Sequence, residues 1–158
     1  MGKTLEKKQD VGKQQLWASR FKKTTDPRSK QYTESITVDR PMLYQNVWGN
    51  EAHVIMLANC GIIKNDHCKK ILEALQQVKI DFAKGTWDLQ LQEEDVQMNV
   101  ERYCIDKVGI ENAGRMHTTR SRNDQVPLDT RLYTRDQLLI LIQSLNSLVD
   151  SLLDMSKA

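Results

Sequence analysis

The pattern of apolar and polar positions predicts two consecutive helices in the middle of the chain. From Met42 onward, apolar residues recur at helical spacing until Gly61, a residue type that commonly ends a helix. A second helix is predicted from Asn65, which we expect to cap it, to Gly85, with an apolar stripe at three-and-four spacing. A third helix is predicted to begin near Glu93.

The first of these predicted helices contains a glycine and a histidine in its interior, Gly49 and His53. Gly49 lies in the helix interior, where glycine is unfavourable, so we predict a close contact with a neighbouring element at this position. His53 lies among small and apolar residues. We interpret it as a packed histidine with a single hydrogen bond rather than as a catalytic group.

The last predicted helix has the broadest apolar surface. From Leu138 its apolar residues form two adjacent stripes, Leu138, Leu141, Leu145, Leu148, Leu152 and Met155, and Leu139, Ile142, Val149 and Leu153. Such a face is too broad for a helix packed on one neighbour, so we predict that it lies inside a bundle. Because the helix is still in register at Ala158, we expect its partners to come from an oligomer or from a longer protein.

Length and composition favour one soluble, cytoplasmic domain or part of one. The 158 residues are 39% hydrophobic and carry a net charge of +2, which argues against a dedicated nucleic-acid-binding protein. No uninterrupted apolar run approaches the roughly 18 residues of a membrane span, and the polar start lacks the apolar core of a signal peptide. Residues 1–15 are polar and rich in lysine, so we predict a mobile basic tail.

The cysteines predict no metal centre. Cys60, Cys68 and Cys104 are odd in number, and their spacings match no common zinc pattern. We interpret them as reduced thiols of an intracellular protein. His67 and Cys68 could form half of a metal site, but no second pair of ligands lies nearby, so we predict neither a metal nor another cofactor.

A run of polar residues directly precedes the last predicted helix. Residues 120–125, RSRNDQ, place six hydrogen-bonding side chains in a row. A helix N-terminus has backbone N–H groups without intrahelical partners and the positive end of the helix dipole, so it attracts carboxylate or phosphate. Arg120 and Arg122 add guanidinium groups that can hold a carboxylate through two parallel hydrogen bonds. We therefore predict an anion-binding site at this helix end.

A simpler interpretation gives the same run a purely structural role. Asp124 then caps the helix, both arginines are solvated, and His117 packs against the turn. In that case Pro127 is the third helical residue, where its missing N–H costs no hydrogen bond. Pro127 then predicts that the helix begins no earlier than about Ser121 to Asp124.

The same segment carries a family resemblance. Residues 117–126, HTTRSRNDQV, resemble the signature HTGRSRNDQV of argininosuccinate lyase and differ from it at one of ten positions. Its RSRND core is unlike the matching segment of fumarase, aspartase and adenylosuccinate lyase. Two weaker matches support it: residues 16–21, LWASRF, resemble LWGGRF, and residues 94–101, EDVQMNVE, are similar to the family's EDIHMxIE, with Gln97 in place of a histidine.

The resemblance implies an all-α, fumarase/aspartase-like fold. Residues 16–118 would form a small helical N-terminal domain, and residues 119–158 would begin the first long helix of a central bundle. Family members are homotetramers that need no cofactor and combine segments of three subunits in each site. They split argininosuccinate reversibly into arginine and fumarate by β-elimination, in arginine biosynthesis and the urea cycle.

The resemblance also assigns roles to individual residues. It implies that Ser35, Ser121, Arg122 and Asn123 bind substrate. His117, Thr118 and Asp124 would support them. The family's catalytic serine and paired histidine lie beyond Ala158, so we expect no catalytic acid or base in this chain and no lyase activity from it alone. Without the resemblance, Ser35 is an ordinary loop hydroxyl.

Two departures from the family pattern keep other functions open. Gln97 cannot carry a proton near neutral pH as a histidine does, and Thr119 replaces a glycine with a β-branched residue that resists positive backbone angles. These changes also fit an inactive, lyase-derived structural or regulatory subunit. A related lyase acting on another succinyl adduct is a further alternative. A basic module that binds RNA through the tail and residues 118–122 is disfavoured by the near-neutral charge.

Overall fold

The computed structural model describes residues 26–157 of the chain, and the predicted basic tail and the LWASRF segment lie outside this range. Within it the regular elements are all helical, which confirms the all-α prediction. The α-helices are α1 (Pro27–Thr33), α2 (Ile36–Asp39), α3 (Leu43–Asn59), α4 (Asn65–Ala83), α5 (Val96–Val108), α6 (Ile110–Ala113) and α7 (Arg122–Lys157). Short 3-10 helices cover Arg40–Met42 and Leu91–Glu93. α1 belongs to a different compact unit from residues 34–158 and is not considered further.

A single apolar core lies between α3, α4 and α5. α4 packs against α3 on one side and α5 on the other, while α3 also packs against α7. The side chains that are fully shielded from solvent include Leu43, Val47, Val54, Leu57, Ile71, Leu75, Val78, Val100, Cys104 and Met116. Each buried aliphatic side chain of this size contributes about 1.5–3 kcal/mol of hydrophobic free energy. This core fixes the position of α3, the helix on which α7 packs.

α3 follows the sequence prediction closely. It begins at Leu43, one residue after the predicted start, and ends at Asn59, shortly before Gly61, whose φ of +70° is typical of a helix stop. A Cβ atom at Gly49 would lie 3.3 Å from Cδ2 of Leu128 in α7. The close contact predicted for this glycine is therefore confirmed, and α7 is the neighbour.

The predicted cap of α4 is wrong by one residue. Asn65 is the first helical residue, and the N-cap position belongs to Lys64, whose extended backbone has no capping side-chain hydrogen bond. The favourable capping chemistry of asparagine did not decide where the chain turns into the helix. The predicted end is confirmed, since α4 stops at Ala83 and Gly85 has a φ of +68°.

The third predicted helix begins later than expected. Leu91–Glu93 forms a 3-10 turn, Glu94 has a φ of +66°, and α5 starts at Val96. The cap explains the difference, because the Asp95 carboxylate accepts a hydrogen bond from the backbone N–H of Met98 at 2.7 Å. The carboxylate-rich segment thus forms a turn that leads into α5.

α7 exposes both of its predicted apolar stripes. Every apolar residue from Leu138 to Met155 is more than half exposed. Among residues 26–157, α7 is also the helix that is long and apolar enough to cross a membrane, with a mean hydropathy of 1.4 over its most apolar 18 residues. No uninterrupted apolar run indicates this span, because Gln143, Asn146 and Asp150 interrupt the apolar residues while their mean hydropathy stays high. Length and composition alone do not distinguish such a span from a bundle helix, and an apolar face that alternates with polar residues along the helix favours the bundle.

Candidate functional site

Ser121 and Asp124 cap the N-terminus of α7 reciprocally. Ser121 Oγ accepts a hydrogen bond from the backbone N–H of Asn123 at 3.0 Å, and the N–H of Ser121 donates to Asp124 Oδ2 at 3.2 Å. This is a capping box with a serine at the N-cap. The interpretation of Asp124 as the N-cap is therefore wrong, although Asp124 does support the helix end. Because these backbone donors are engaged within the turn, a ligand here depends mainly on side chains.

Arg122 is held at one edge of the site by two carboxylates. Its Nη1 lies 3.0 Å from Oδ2 of Asp95 and 4.0 Å from Oε2 of Glu94. The side chain is nevertheless 49% exposed. Both carboxylates belong to the turn that precedes α5, so the cap of one helix is linked to the start of another. The guanidinium is positioned but still accessible to an anion.

Ser35 reaches the same neighbourhood through the Glu94–Asp95 turn. Its backbone N–H donates to the carbonyl oxygen of Glu94 at 2.9 Å, and its hydroxyl group hydrogen-bonds to the Asp39 carboxylate. Arg122 contacts the side chains of the same turn. Ser35 and Arg122 therefore contact the same turn, and Ser121 and Asn123 flank Arg122 in the sequence.

A small cleft lies beside this region. Its lining includes Asp39, Asp95 and Asp129, and the remaining lining residues are Met42, Asn46, Val96, Gln97 and Val126. Three carboxyl groups make the cleft unsuitable for an anion. An anionic ligand is better placed outside it, against Arg122 and Asn123, whose side-chain amide is exposed.

Arg120 does not share the ligand side with Arg122. Its Nη2 donates to Oδ1 of Asn50, and its Nη1 lies 3.5 Å from the carbonyl oxygen of Gly49. Burial lowers the pKa of this guanidinium. The expectation that both arginines face a ligand is wrong for Arg120, which joins the loop before α7 to α3.

Beneath the site lies a cluster of buried polar side chains. Asn46, Asn50, Gln97, Gln125 and Asp129 are each at most 5% exposed. Asn46 Nδ2 donates to Asp129 Oδ2 at 2.7 Å, and Asn50 Nδ2 donates to Asn46 Oδ1 at 3.0 Å. Sequence reasoning missed three of these residues, Asn46, Asn50 and Asp129. The available signal was that Asn46 and Asn50, four residues apart, flank the apolar position Val47 on α3.

Asp129 is the most perturbed acid of this cluster. Burial raises the pKa of its carboxyl group to about 6, while the hydrogen bond from Asn46 and the charge of Arg120 act in the opposite direction. Its Oδ1 has no hydrogen-bond partner within the described part of the chain. The carboxylate therefore holds α7 against α3 at an electrostatic cost.

The two histidines near the site are both engaged in the fold. His53 Nε2 lies 2.9 Å from the carbonyl oxygen of Thr118, and burial lowers the pKa of the ring. The prediction of a packed histidine with one hydrogen bond is confirmed. His117 Nε2 contacts the Gln97 amide and lies 3.2 Å from Oε2 of Glu101. Thr118 Oγ1 donates to the carbonyl oxygen of Arg115 at 2.8 Å, so Thr118 also supports the turn.

Two residues at the start of α7 have unfavourable backbone positions. Thr119 has a φ of +63°, the left-handed region that β-branched residues resist, so the concern raised by the sequence is confirmed. Pro127 lies inside α7. Since Arg122 is the first helical residue, Pro127 is the sixth rather than the third. Its missing N–H leaves the carbonyl oxygen of Asn123 without its normal helical donor.

No group of three histidine, cysteine, aspartate or glutamate side chains in residues 26–157 is arranged to hold a metal ion. Cys60 is exposed, whereas Cys68 and Cys104 are buried, and all three are free. Burial raises the pKa of the Cys104 thiol to about 12. The two buried cysteines are thus structural rather than reactive groups.

Comparison with known proteins adds independent information on this arrangement. A family model described as "Lyase" matches residues 19–158. The argininosuccinate lyase of Alcanivorax borkumensis is 36% identical over 148 residues, covering 94% of this chain and 32% of that protein. The argininosuccinate lyase of Oceanobacillus iheyensis is 42% identical over 143 residues, covering 90% of this chain and 31% of that protein. The chain thus spans about a third of the length of the curated relatives it matches.

Proposed function

Because the chain belongs to the lyase family whose model matches residues 19–158, we propose that it supplies substrate-binding residues to an argininosuccinate lyase. That enzyme splits argininosuccinate reversibly into arginine and fumarate, a step of arginine biosynthesis and of the urea cycle. The names of the relatives support this substrate. Residues 16–118 and 119–158 would then belong to the N-terminal domain and to the first helix of the central bundle.

The observation that carries the proposal is the half-exposed Arg122 beside the exposed Asn123 at the capped start of α7. A charged guanidinium and an amide donor suit the carboxylates of a succinyl group or fumarate. Ser121 uses its oxygen to accept from Asn123, so its hydroxyl hydrogen remains available to a ligand. A substrate carboxylate would compete with Asp95 for Arg122.

Ser35 suits the other end of the substrate. Its hydroxyl group donates to the Asp39 carboxylate, which can only accept when it is ionised. The lone pairs of the Ser35 oxygen then remain as acceptors for an N–H group. Argininosuccinate carries an amino group and a substituted guanidinium as well as carboxylates. We therefore assign Ser35 to a nitrogen of the substrate and Ser121, Arg122 and Asn123 to a carboxylate.

The proposed chemistry is a β-elimination. A base removes the proton beside a carboxylate, and an acid protonates the departing guanidinium nitrogen. The carboxylate then carries extra negative charge, which fixed cationic and N–H donors stabilise. Arg122 and Asn123 supply such donors. Because His53 and His117 are both engaged in the fold, we assign this chain no catalytic acid or base.

We further propose that the chain acts in a cytoplasmic homotetramer. The exposed apolar stripes of α7 support assembly, since a row of exposed leucine and isoleucine side chains is unfavourable in water. Residues from other subunits would complete the site. Sedimentation equilibrium tests the assembly, and a chain that stays monomeric at high concentration would count against it.

A titration with fumarate tests the proposed binding role. In 15N-labelled chain, the backbone and side-chain signals of Arg122 and Asn123 should shift on addition of fumarate. Arg122→Gln should abolish the shifts, because the charged fork is lost. Arg131→Gln is the matched control, since Arg131 is an exposed arginine of α7 away from this turn. Shifts that persist in Arg122→Gln would contradict the proposal.

A complementation assay separates an enzyme segment from an inactive lyase-derived subunit. The isolated chain mixed with argininosuccinate should release no fumarate, and turnover above blank would contradict our assignment of binding roles alone. The chain is then mixed with a full-length argininosuccinate lyase that lacks the arginine matching Arg122. Restored fumarate release supports an enzyme segment. Binding without restored release supports the structural or regulatory alternative.

A further inference from the structure

The buried polar cluster forms a continuous chain of hydrogen bonds from α7 through α3 to α5. Asp129 Oδ2 accepts from Asn46, and Asn46 Oδ1 accepts from Asn50 Nδ2. The same Asn50 Nδ2 donates to Gln97 Oε1 at 2.8 Å. Asn50 has no solvent exposure, so no water molecule replaces these partners from outside. Each amide must therefore use its oxygen and nitrogen in one definite direction.

The charged residues Asp129 and Arg120 determine how the amide groups of this hydrogen-bond series are oriented. An ionised carboxylate only accepts hydrogen bonds, so Asn46 must present its nitrogen to Asp129. A guanidinium only donates, so Asn50 must present its oxygen to Arg120. Both requirements give Asn50 the same orientation, with its nitrogen toward Asn46 and Gln97. The amide orientations follow from chemistry rather than from the placement of nearly identical atoms.

The orientation of these amides determines which side-chain atom of Gln97 contacts the His117 ring. Gln97 Oε1 accepts from Asn50 Nδ2 and also from Gln125 Nε2. The Gln97 nitrogen is therefore the atom that contacts His117 Nε2. An amide N–H needs a lone pair on its partner, so Nε2 of His117 must be unprotonated. A neutral ring then carries its proton on Nδ1.

Glu101, in contrast, favours a proton on the same atom, Nε2 of His117. Its Oε2 lies 3.2 Å from His117 Nε2, and a carboxylate at this distance is favourable only if Nε2 carries a proton. Gln97 and Glu101 therefore compete for two different states of one ring. Gln97 is 4% exposed and held by two donors, whereas the Glu101 side chain is 21% exposed. The more rigid partner should prevail.

We propose that Gln97 is a positioning residue that holds His117 as the neutral Nδ1–H tautomer, leaving Nδ1–H as a donor for a substrate carboxylate. Nδ1 has no hydrogen-bond partner shown among the described residues, and the side chain is 25% exposed. The role toward a carboxylate rests on the proposed function. The tautomer itself is measurable without any ligand.

The test is the 15N signature of the His117 ring in the full, uniformly labelled chain at neutral pH. Long-range 1H–15N correlations distinguish a protonated ring nitrogen from an unprotonated one. The chain has three histidines, so loss of one set of signals in His117→Gln assigns the ring. We expect a protonated Nδ1 and an unprotonated Nε2. A protonated Nε2, alone or in an imidazolium paired with Glu101, overturns the proposal.

Two variants separate the competing partners. Gln97→Glu replaces the amide donor with an acceptor, so the proton should move to Nε2 or the ring should become an imidazolium. Gln137→Glu, at an exposed position of α7, is the control and should leave the ring unchanged. Glu101→Gln should also preserve the Nδ1–H tautomer, and its loss in that variant overturns the proposal. If Gln97→Glu does not fold, the wild-type and Glu101→Gln spectra still decide.

Addition of fumarate tests the role toward a carboxylate. The Nδ1–H signal should shift as fumarate binds, together with the Arg122 signals. If Arg122 responds and Nδ1–H does not, the donor role of His117 is wrong while the proposed function stands. If neither responds, the proposed function fails, and the tautomer remains decided by the spectra without ligand.

Discussion

Nη1 of Arg122 lies 3.0 Å from Oδ2 of Asp95, which joins the first residue of α7 to the capping residue of α5. The other carboxylate oxygen of Asp95 accepts from the backbone N–H of Met98. One side chain thus stabilises a helix end and neutralises part of the charge that a ligand would use. Substrate binding at Arg122 therefore competes with an internal carboxylate.

Asp95→Asn should tighten fumarate binding. Asparagine caps helices as well as aspartate, so α5 should remain intact, while the internal anion that competes for Arg122 is lost. An ion pair of this exposure is worth up to about 1 kcal/mol, so the gain should be about two- to five-fold. Titration calorimetry or NMR measures it. Asp88→Asn, which breaks the exposed ion pair with Arg40, is the control, and weaker binding in Asp95→Asn would refute the competition.

Thr119→Gly should stabilise the fold. The left-handed backbone of Thr119 costs a β-branched residue about 1–2 kcal/mol, and the greater flexibility of glycine in the unfolded chain returns part of this gain. We expect a net increase of about 1 kcal/mol in the free energy of unfolding, measured by urea denaturation. Thr118→Gly is the control and should destabilise, since Thr118 is not at a positive φ and its hydroxyl is hydrogen-bonded. Equal effects in both variants would contradict the interpretation.

Ser121→Ala should destabilise the first turn of α7. It removes the oxygen that accepts from the Asn123 N–H, and loss of such a cap costs about 1 kcal/mol. Amide hydrogen exchange should accelerate at Asn123 more than in the middle of α7. Ser144→Ala is the matched control, because that hydroxyl only donates back to the carbonyl oxygen of Ile140 within the helix. Unchanged exchange at Asn123 would show that the cap contributes nothing.

Asp129 should make stability fall as the pH rises. Because burial raises the pKa of Asp129 to about 6, the folded chain binds a proton more tightly than the unfolded chain, whose carboxyl has a pKa of about 4. The stabilisation of the folded chain by protonated Asp129 is fully present below a pH of about 4 and is lost as the pH rises through about 6. After allowance for solvent screening, the change should be roughly 1–2 kcal/mol.

Asp129→Asn isolates this contribution. Asparagine retains an oxygen for the Asn46 donor but does not titrate, so the free energy of unfolding should vary less between pH 4 and 7 than in the wild-type chain. Urea denaturation across this range measures the difference. Asp136→Asn, on the same helix, is the control. If the two variants have the same pH profile, another group is responsible.

The sequence could predict the structural features that depend on the spacing of apolar residues and on local backbone preferences. The extent of α3, its stop at Gly61, the stripes of α7 and the close contact of Gly49 follow from spacing and backbone preference. The exact cap positions at Lys64 and Asp95 could not be predicted in this way, because neighbouring residues compete for each cap position. The motif at residues 117–126 could indicate the candidate site from sequence because most of the candidate residues are consecutive in the chain.

What the sequence could not give depends on contacts between distant segments. Arg120 and Arg122 are chemically identical and two residues apart, yet one is directed toward Asn50 and the other toward Asp95. The positions of α3 and of the turn before α5 decide this. Similarly, Gln125 and Asp129 look like surface residues of a helix until α3 and α5 supply their buried partners.

The single direction of the amide chain has an evolutionary consequence. Replacing Asn50 with an apolar residue would remove one hydrogen-bond partner from each of Arg120, Asn46 and Gln97 at once. Such losses cannot be repaired at one position, so descendants of this protein should exchange these residues in correlated groups. Correlated substitution at positions 46, 50, 97, 120, 125 and 129 should therefore mark the lineages that share this interior.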